Sequence, residues 1–385
     1  MERTTPLTRL HTEAEAEFAV FPPAGSVFAD DMPPIEVVAS FGDTEAEYIA
    51  LTQGAGLLDL PHRSALTLTG EDRLDFLNQM LTQDLKGLAP GRCVRSFWLN
   101  RKGRIEADLR VIHLADRTLL WGDRADCLRA FETLSAFIIT EDVELANEAQ
   151  THLFALIGPN AFEILRTAAT QLDDSTSSDL APGSVVELEI AGAAVVAAFD
   201  DSLGAPRCEL SMSKDAATNV YQRLLETGFN LAGESSERFR AVGFEAFNTR
   251  RVEASAPMAR FDFGRASLPH ETGVLSDRVS FTKGCYLGQE IVARLQSLGH
   301  PKQRLVVLQL DDKSALPALG DLLYPADEMT ADSVGVVTSA ATIPTRNGAP
   351  TLLAQVRFDH SQVKTTLRTK TGDLAEIVND FSIGE

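Results

Sequence analysis

A change of pattern near His300-Pro301 constrains the fold of this chain more than any other feature. Before it, strand-like runs alternate with helical stripes in two successive cycles. After it, four short strand-like runs follow at nearly even spacing: "RLVVLQL", "DLLYPA", "SVGVVTSA" and "TLLAQVRF". Evenly spaced short strands are typical of a small antiparallel barrel or sandwich. The sequence therefore predicts an α+β protein with two α/β-sandwich modules and a small C-terminal antiparallel β-barrel.

The chain length of 385 residues favours two or three domains over one. Residues 1–40 are rich in Pro and acidic side chains and lack clear periodicity, so we expect a loosely docked N-terminal arm. Residues 41–150 are predicted to form the first module and residues 151–301 the second, while residues 302–385 form the barrel. The two modules share an order of strands and helices rather than a repeated sequence.

The first module shows the clearest local pattern. The run "ALTLTG" alternates as a half-buried strand does, and a leucine stripe at Leu74, Leu77, Leu81 and Leu85 predicts a helix ended by Gly87. The next stretch, "CVRSFWLNRKGRIEADLRVIHL", predicts a hairpin that turns at "NRKG".

Composition limits the classes of partner. The net charge of −20 disfavours direct binding to nucleic acid, because such a surface repels phosphate backbones. The longest apolar runs are far too short to span a bilayer, so no membrane association is expected. The polar and acidic N-terminus does not resemble a secretory signal. These features predict a cytoplasmic protein.

The stretch "KGCYLGQE", residues 283–290, places Cys285 in a predicted strand-to-helix turn after "VSF". Lys283 and the start of the following helix would both favour the thiolate, which is the nucleophilic form of cysteine. A small residue between glycines could equally serve to fill a crowded turn. The chain's four cysteines are too far apart in sequence for the usual spacings of metal ligands, so no metal site is predicted.

The stretch "KGCYLGQE" resembles the K-G-C-[FY]-x-G-Q-E signature of the YgfZ family, folate-binding proteins related to the T-protein of the glycine cleavage system. Other stretches resemble the same family, including "LNRKGRIEADLRV", "NTRRVEASAP", "LPHETG" and "VGVVTSA". The resemblance implies three domains in a ring around a central channel that holds tetrahydrofolate or a one-carbon derivative. It also implies a role in iron–sulfur cluster assembly or repair, including for radical enzymes that modify tRNA.

The matching motifs, together with the chemical demands of a folate, assign candidate residues. The implied catalytic residues are Cys285, Lys283 and Asp108. The implied folate-binding residues are Arg251, Glu253, Glu209, Tyr286, Trp98 and Gln289. A pterin needs a carboxylate or amide at its edge and an apolar slot for its ring, and the glutamate tail of a folate needs Arg or Lys.

The sequence departs from the family pattern at several positions. Ala107 stands where T-proteins carry the first of two aspartates, so only Asp108 remains. Ala205 replaces a glutamate that can bind the pterin, and Arg207 replaces a glycine. Ser255 stands in place of another glycine in the "NTRRVEASAP" stretch.

Three functions therefore remain open. The first is a tetrahydrofolate-binding accessory protein whose partners are iron–sulfur client or assembly proteins. The second is a folate-dependent aminomethyltransferase or other one-carbon transferase. The third is a non-catalytic scaffold that binds other proteins. The sequence does not determine the oligomeric state.

Overall fold

The structure is a computed structural model. It describes residues 5–28, 34–170, 180–233, 238–311, 314–327, 332–343 and 349–381. Within these ranges, no helix is long and apolar enough to cross a bilayer.

The N-terminal segment is packed into the protein, contrary to the expected loose arm. Its elements are α1 (Thr8–Glu13), β1 (Glu17–Phe21) and β2 (Ile35–Ser40). The two strands pair antiparallel, and the side chains of Leu7, His11 and Phe21 are almost fully buried. The Nε2 atom of His11 also lies 2.9 Å from a carboxylate oxygen of Asp59. Buried residues with no periodicity in the sequence thus anchor this helix and these two strands to the rest of the protein.

The first module is built on an antiparallel sheet. The elements in this part of the chain are α2 (Thr44–Gln53), β3 (Ala55–Asp59), β4 (Arg63–Thr69), α3 (Arg73–Met80), β5 (Arg92–Leu99), β6 (Ile105–His113), β7 (Thr118–Asp123), α4 (Arg124–Leu134) and β8 (Glu144–Asn147). Among the described residues, five strands form the sheet in the order β5-β6-β7-β4-β8, and the predicted hairpin is its β5–β6 pair. Helix α3 ends at Met80, earlier than predicted, because Leu81 adopts an extended conformation. Leu81 and Leu85 nevertheless remain buried in the same core.

The second module contains a larger sheet. Its elements are β9 (Thr151–Ile157), α5 (Ala161–Ala168), β10 (Val185–Ile190), β11 (Ala193–Asp200), β12 (Arg207–Ser213), α6 (Lys214–Ala232) and β13 (Phe239–Val242). In the described residues the strand order is β10-β11-β12-β9-β3-β13. Strand β3 therefore joins this sheet, although it lies in residues 41–150, the range predicted for the first module. The domain boundaries otherwise stay a prediction.

Three helices connect the modules to the barrel: α7 (Phe244–Glu253), α8 (Leu275–Arg278) and α9 (Gln289–Leu298). The predicted strand "VSF", at Val279–Phe281, is irregular in the structure. The predicted helix after the "KGCYLGQE" stretch is confirmed as α9. It begins after Gly288, whose φ of 84° lies in the left-handed region that glycine adopts readily.

The C-terminal part forms the predicted barrel. Its strands are β14 (Gln303–Leu310), β15 (Leu322–Pro325), β16 (Gly335–Ala340), β17 (Thr351–Arg357), β18 (Thr366–Arg368) and β19 (Leu374–Asn379). In the described ranges these strands close in the order β14-β17-β16-β15-β18-β19. Alternate side chains such as Leu308, Leu352 and Ile377 fill its core. The predicted fold class, two sheet-and-helix modules followed by a small barrel, is confirmed.

Candidate functional site

A cavity of about 300 Å³ lies where the modules, the connecting segment and the C-terminal region meet. The first module contributes the start of β4 and the end of β7, and the second contributes β12. The connecting segment supplies Arg251 near the end of α7 and residues 255–259, and Phe381 lies on the C-terminal side. The cavity thus occupies the position where the family resemblance implies a central channel.

One wall of the cavity holds Glu209 among three arginines. A carboxylate oxygen of Glu209 lies 3.6 Å from the guanidinium of Arg63 and 3.7 Å from that of Arg110. The guanidinium of Arg207 donates a hydrogen bond to the other carboxylate oxygen. Burial opposes ionisation of Glu209, but the charges of Arg110, Arg207 and Arg63 outweigh it and lower its pKa. Glu209 is therefore a buried carboxylate that stays ionised.

A second wall carries three aspartates, Asp108, Asp123 and Asp126. The Asp108 carboxylate accepts a hydrogen bond of 2.9 Å from Nε of Arg278, and the Asp108 backbone N–H donates one of 2.9 Å to Asp126. Burial and the nearby charge of Asp123 raise the pKa of Asp126 well above its usual range. The wall therefore pairs a salt-bridged carboxylate with a buried carboxyl group whose pKa is raised.

Several buried polar atoms at the cavity have no hydrogen-bond partner among the described residues. These atoms are Nδ1 of His62, Nε of Arg63, Oδ2 of Asp123, Nε of Arg207 and Oε2 of Glu209. Buried polar groups are normally hydrogen-bonded, because leaving one unpaired costs about 1–3 kcal/mol. The cavity is therefore suited to a ligand that offers both donors and acceptors.

Three of the predicted site residues line this cavity: Asp108, Glu209 and Arg251. Arg251 is almost fully buried, and its guanidinium lies 2.6 Å from both Asp262 and the hydroxyl of Ser339. It therefore fastens helix α7 to the barrel strand β16. The predicted role of Arg251 in binding a folate tail gains no support from these contacts.

The other six predicted residues lie outside the cavity, within the part of the chain that the structure describes. They are Cys285, Lys283, Tyr286, Gln289, Glu253 and Trp98. Cys285 is exposed and Gln289 is the first residue of α9. Four of the six belong to the "KGCYLGQE" stretch, so membership of that motif does not bring a side chain to the cavity.

Lys283 bonds to the backbone at the end of helix α3 and just after it, rather than to the Cys285 thiol. Its ammonium group donates to the carbonyl oxygens of Asn78, Leu81 and Gln83 at 2.6, 2.8 and 2.8 Å. Burial lowers the pKa of Lys283 to about 8, so the group is still mainly charged at neutral pH. The bonds to Asn78 and Leu81 satisfy carbonyls that the end of α3 leaves unpaired, and the third bond holds the loop that follows.

Packing contacts also account for the predicted aromatic and acidic ligands outside the cavity. Tyr286 lies in an apolar cluster with Phe97, and burial raises its pKa to about 12. Trp98 is buried in the first module, where its indole N–H donates to Thr133 at 2.8 Å. Glu253 accepts a 2.5 Å hydrogen bond from the Tyr48 hydroxyl. None of these three side chains lines the cavity.

Two of the departures from the family pattern have a structural context. Arg207 and Glu209 bind each other, so the arginine that replaces a glycine belongs to the carboxylate network. Ser255 follows the end of α7 with a φ of 53°, in the left-handed region. Its N–H bonds to the Val252 carbonyl and the Ala256 N–H to the Arg251 carbonyl, the hydrogen-bond pattern of a Schellman motif.

The sequence reasoning missed Asp123 and Asp126. A weak signal was available in "WGDRADC", because the two aspartates stand three residues apart where a strand leads into a helix. That spacing places both on one side of the first helical turn. The two side chains become significant only once the fold brings Asp108 and Arg63 beside them.

The fold and the cavity define a protein of two α/β modules and a barrel that encloses a site for a polar small molecule. The GCVT N-terminal domain model matches residues 17–283, and the chain belongs to this family. Curated relatives include an aminomethyltransferase of Exiguobacterium sibiricum, 25% identical over 90% of each chain. Another is an aminomethyltransferase of Cutibacterium acnes, 27% identical over 95% of this chain and 93% of the relative.

A solved structure supports the same fold. The glycine cleavage system aminomethyltransferase T from Bartonella henselae superposes with a TM-score of 0.81 and 21% identity, over 99% of this chain and 98% of that one. The predicted kinship with the T-protein family is thereby confirmed. The finer assignment to the YgfZ branch stays a prediction.

Proposed function

We propose that this protein is a tetrahydrofolate-dependent transferase of one-carbon units, of the aminomethyltransferase type, with its ligand in the central cavity. The observation that carries the proposal is the set of buried, unpartnered polar atoms around Glu209 and Asp123. The curated relatives named aminomethyltransferase match nearly the whole chain, which supports the same activity. The proposal retains the predicted cytoplasmic location.

The cavity residues fit the chemical demands of a folate. Oε2 of Glu209 and Oδ2 of Asp123 would accept hydrogen bonds from the N–H groups of a pterin edge. Apolar side chains, among them Leu203 and Phe247, line the same cavity and would contact the flat ring. Arg95 has the most exposed side chain among the cavity arginines, 25%, and would hold the anionic tail.

Tetrahydrofolate would supply nitrogen atoms that accept the one-carbon unit. Within the protein, the Asp108 carboxylate is a hydrogen-bond acceptor held by Arg278. Asp126 is a buried acid, positioned by the Asp108 backbone, that could release or take up a proton. This second carboxyl group lies beside Asp108, although Ala107 removes one of the hairpin aspartates.

Blocking the cavity tests ligand placement. Ala256 lines it, so Ala256→Trp should abolish the calorimetric signal of tetrahydrofolate binding under anaerobic conditions. Ala115 is exposed in the first module, and Ala115→Trp is the matched control. Unchanged binding by a folded Ala256→Trp variant would place the ligand elsewhere.

Transfer activity is tested separately, with an aminomethylated carrier protein and formation of methylene-tetrahydrofolate as the readout. Asp126→Asn preserves the acceptor for the Asp108 N–H but removes the proton. It should reduce turnover by about 10²-fold or more while tetrahydrofolate still binds. Asp116→Asn, on the exposed surface, should retain full activity. Turnover by Asp126→Asn at the wild-type rate would remove Asp126 from the reaction.

A second candidate is an accessory role in iron–sulfur cluster assembly or repair, favoured by the exposed Cys285 within the "KGCYLGQE" stretch. Its partners would be iron–sulfur client or assembly proteins. The wild-type gene should then rescue cluster-enzyme activity in a strain that lacks the protein, while Cys285→Ala should not. Full rescue by a stably expressed Cys285→Ala variant would exclude a role for the thiol.

A further inference from the structure

A second, smaller pocket of about 150 Å³ lies outside the central cavity, at the junction of the two modules. The first two residues of β4 and of β9 contribute to it, as do the first residues of α4 and α6. Its lining includes Ser64, Arg124, Thr151, His152 and Lys214. The same structural positions of the two modules therefore meet at one point.

The two modules repeat the same strand-to-helix corner here. In the first module, Arg63 at the start of β4 is paired with Asp123, the residue before α4. In the second, Thr151 at the start of β9 is paired with Ser213, the residue before α6. Helices α4, of 11 residues, and α6, of 19 residues, consequently begin beside one pocket. The side chains of the preceding residues, Asp123 and Ser213, form no capping hydrogen bond with them. The positive ends of two helix dipoles therefore converge.

The side chains add positive charge to these helix ends. Arg124, Lys214 and Arg63 line the pocket, and its lining includes no Asp or Glu. Within the described residues Arg124 and Lys214 form no ion pair, and Nε of Arg63 is buried without a hydrogen-bond partner. Burial and the charge of Arg124 lower the pKa of Lys214, as is normal where like charges are close together. Arg63 is already balanced by Asp123 and Glu209, so Arg124 and Lys214 carry the unpaired positive charge at this pocket, which favours an anionic ligand.

We propose that this pocket is a binding site for a small oxyanion of the phosphate type. Arg124 and Lys214 would neutralise its charge, while the hydroxyls of Ser64 and Thr151 would donate to its oxygens. Neither hydroxyl has a hydrogen-bond partner in the described part of the chain. The volume is half that of the central cavity, which suits a tetrahedral ion or a terminal phosphate group. The site does not depend on folate binding.

The ring of His152 forms the inner end of the pocket. Its Nε2 lies 2.7 Å from Asp59, which in turn contacts His11 of the N-terminal segment. Arg63 lies between the two cavities, because it lines both and is 3.6 Å from Glu209. A bound oxyanion would therefore contact the same guanidinium that faces the central ligand.

The test is calorimetric titration of inorganic phosphate into the full chain in a phosphate-free buffer. The wild-type protein should bind saturably and gain thermal stability. The double variant Arg124→Gln/Lys214→Gln should bind at least about 100-fold more weakly, since each lost charge-assisted bond reduces affinity about tenfold. Arg166→Gln/Lys370→Gln removes the same two charge types from exposed positions and is the matched control, with unchanged affinity expected.

The Ala256→Trp variant, which fills the central cavity, should still bind phosphate. Loss of phosphate binding in that variant would locate the ion in the central cavity and overturn the proposal. The same holds if a folded wild-type protein binds no phosphate at millimolar concentration, or if the double variant binds as well as the wild type. Equal thermal stabilisation by chloride at the same ionic strength would also overturn it, because that result indicates screening alone.

Discussion

The central cavity and the "KGCYLGQE" segment use polar groups in opposite ways. In the cavity, Glu209 and Asp123 each retain a buried oxygen with no hydrogen-bond partner in the described residues. In the segment, Lys283 donates three hydrogen bonds to carbonyls near the end of helix α3. Gly288 packs so closely that a Cβ there would lie 2.6 Å from the carbonyl oxygen of Asn100. Cys285 alone stands out in the segment, as an exposed thiol.

This difference separates residues that join parts of the fold from the residues that we propose bind a ligand. The segment connects α9 to the first module, and its contacts explain why Lys283, Tyr286 and Gly288 occupy their positions without any chemistry. The cavity contains buried polar atoms with no hydrogen-bond partner in the described residues, although their carboxylates face arginines. Such local conflicts are expected at functional sites, where stability is lost for the sake of binding.

The largest predicted effect comes from the cavity network. Glu209→Gln should lower the free energy of unfolding by about 3–5 kcal/mol, because it removes the negative charge among Arg63, Arg110 and Arg207. Urea unfolding at pH 7 measures the change. Glu187→Gln is the matched control, since Glu187 is an exposed glutamate paired with Arg117, and it should cost about 1 kcal/mol or less. Equal losses for the two variants would show that the cavity network is no more critical than the other site.

Within the "KGCYLGQE" segment, Lys283→Met should lower the free energy of unfolding by about 2–3 kcal/mol, because buried carbonyls lose a charged donor. Cys285→Ala should change it by less than about 0.5 kcal/mol, as is usual for an exposed side chain. Chemical denaturation of both variants checks the contrast. A neutral Lys283→Met variant with slower thiol labelling of Cys285 would instead return Lys283 to thiol activation.

The sequence predicts the fold well where patterns are local. The hairpin, the helix after the motif and the barrel strands each follow from periodicity within 10 to 25 residues, and the structure confirms them. The placement of β3 beside β9 and β13 depends on contacts between distant segments, so residues 41–150 do not form a separate sheet. The packed N-terminal segment was missed for the same reason, because Leu7 and His11 show no period.

The candidate site was less predictable than the fold. Asp108 and Glu209 were found because they lie in stretches that resemble a family, and both line the cavity. Six other residues were assigned to the site although their contacts lie elsewhere. A motif indicates that a position is constrained, but it does not show whether packing or chemistry constrains it. Asp126 was missed because its significance comes from burial beside Asp123 and from the Asp108 backbone, which no spacing reveals.

The pKa of Asp126 predicts a pH dependence that distinguishes the cavity from the segment. Because the pKa of Asp126 is raised in the folded state, folding favours the protonated acid. The resulting contribution to the free energy of unfolding is fully present below the ordinary pKa of about 3.9, and it is lost as the pH rises through the raised pKa. Asp126→Asn lacks that dependence. Its stability relative to the wild type should therefore increase by up to about 1.4 kcal/mol per pH unit above pH 4. Urea unfolding from pH 4 to pH 8 measures the difference, and Asp116→Asn should show no such trend.

The smallest predicted effect concerns backbone conformation, where the two regions again differ. In the segment, the residue with a left-handed backbone conformation is a glycine, Gly288. At the cavity, Ser255 adopts a left-handed conformation with a φ of 53°. Ser255→Gly should raise the free energy of unfolding by about 0.5–1 kcal/mol, because relief of the left-handed strain exceeds the entropy that glycine adds to the unfolded chain. Ser297→Gly, in helix α9, should lower it by about 0.5 kcal/mol. Thermal unfolding should therefore show a higher Tm for Ser255→Gly and a lower Tm for Ser297→Gly than for the wild type. A loss of stability in Ser255→Gly would mean that the serine side chain makes a contribution at the cavity larger than the strain it causes.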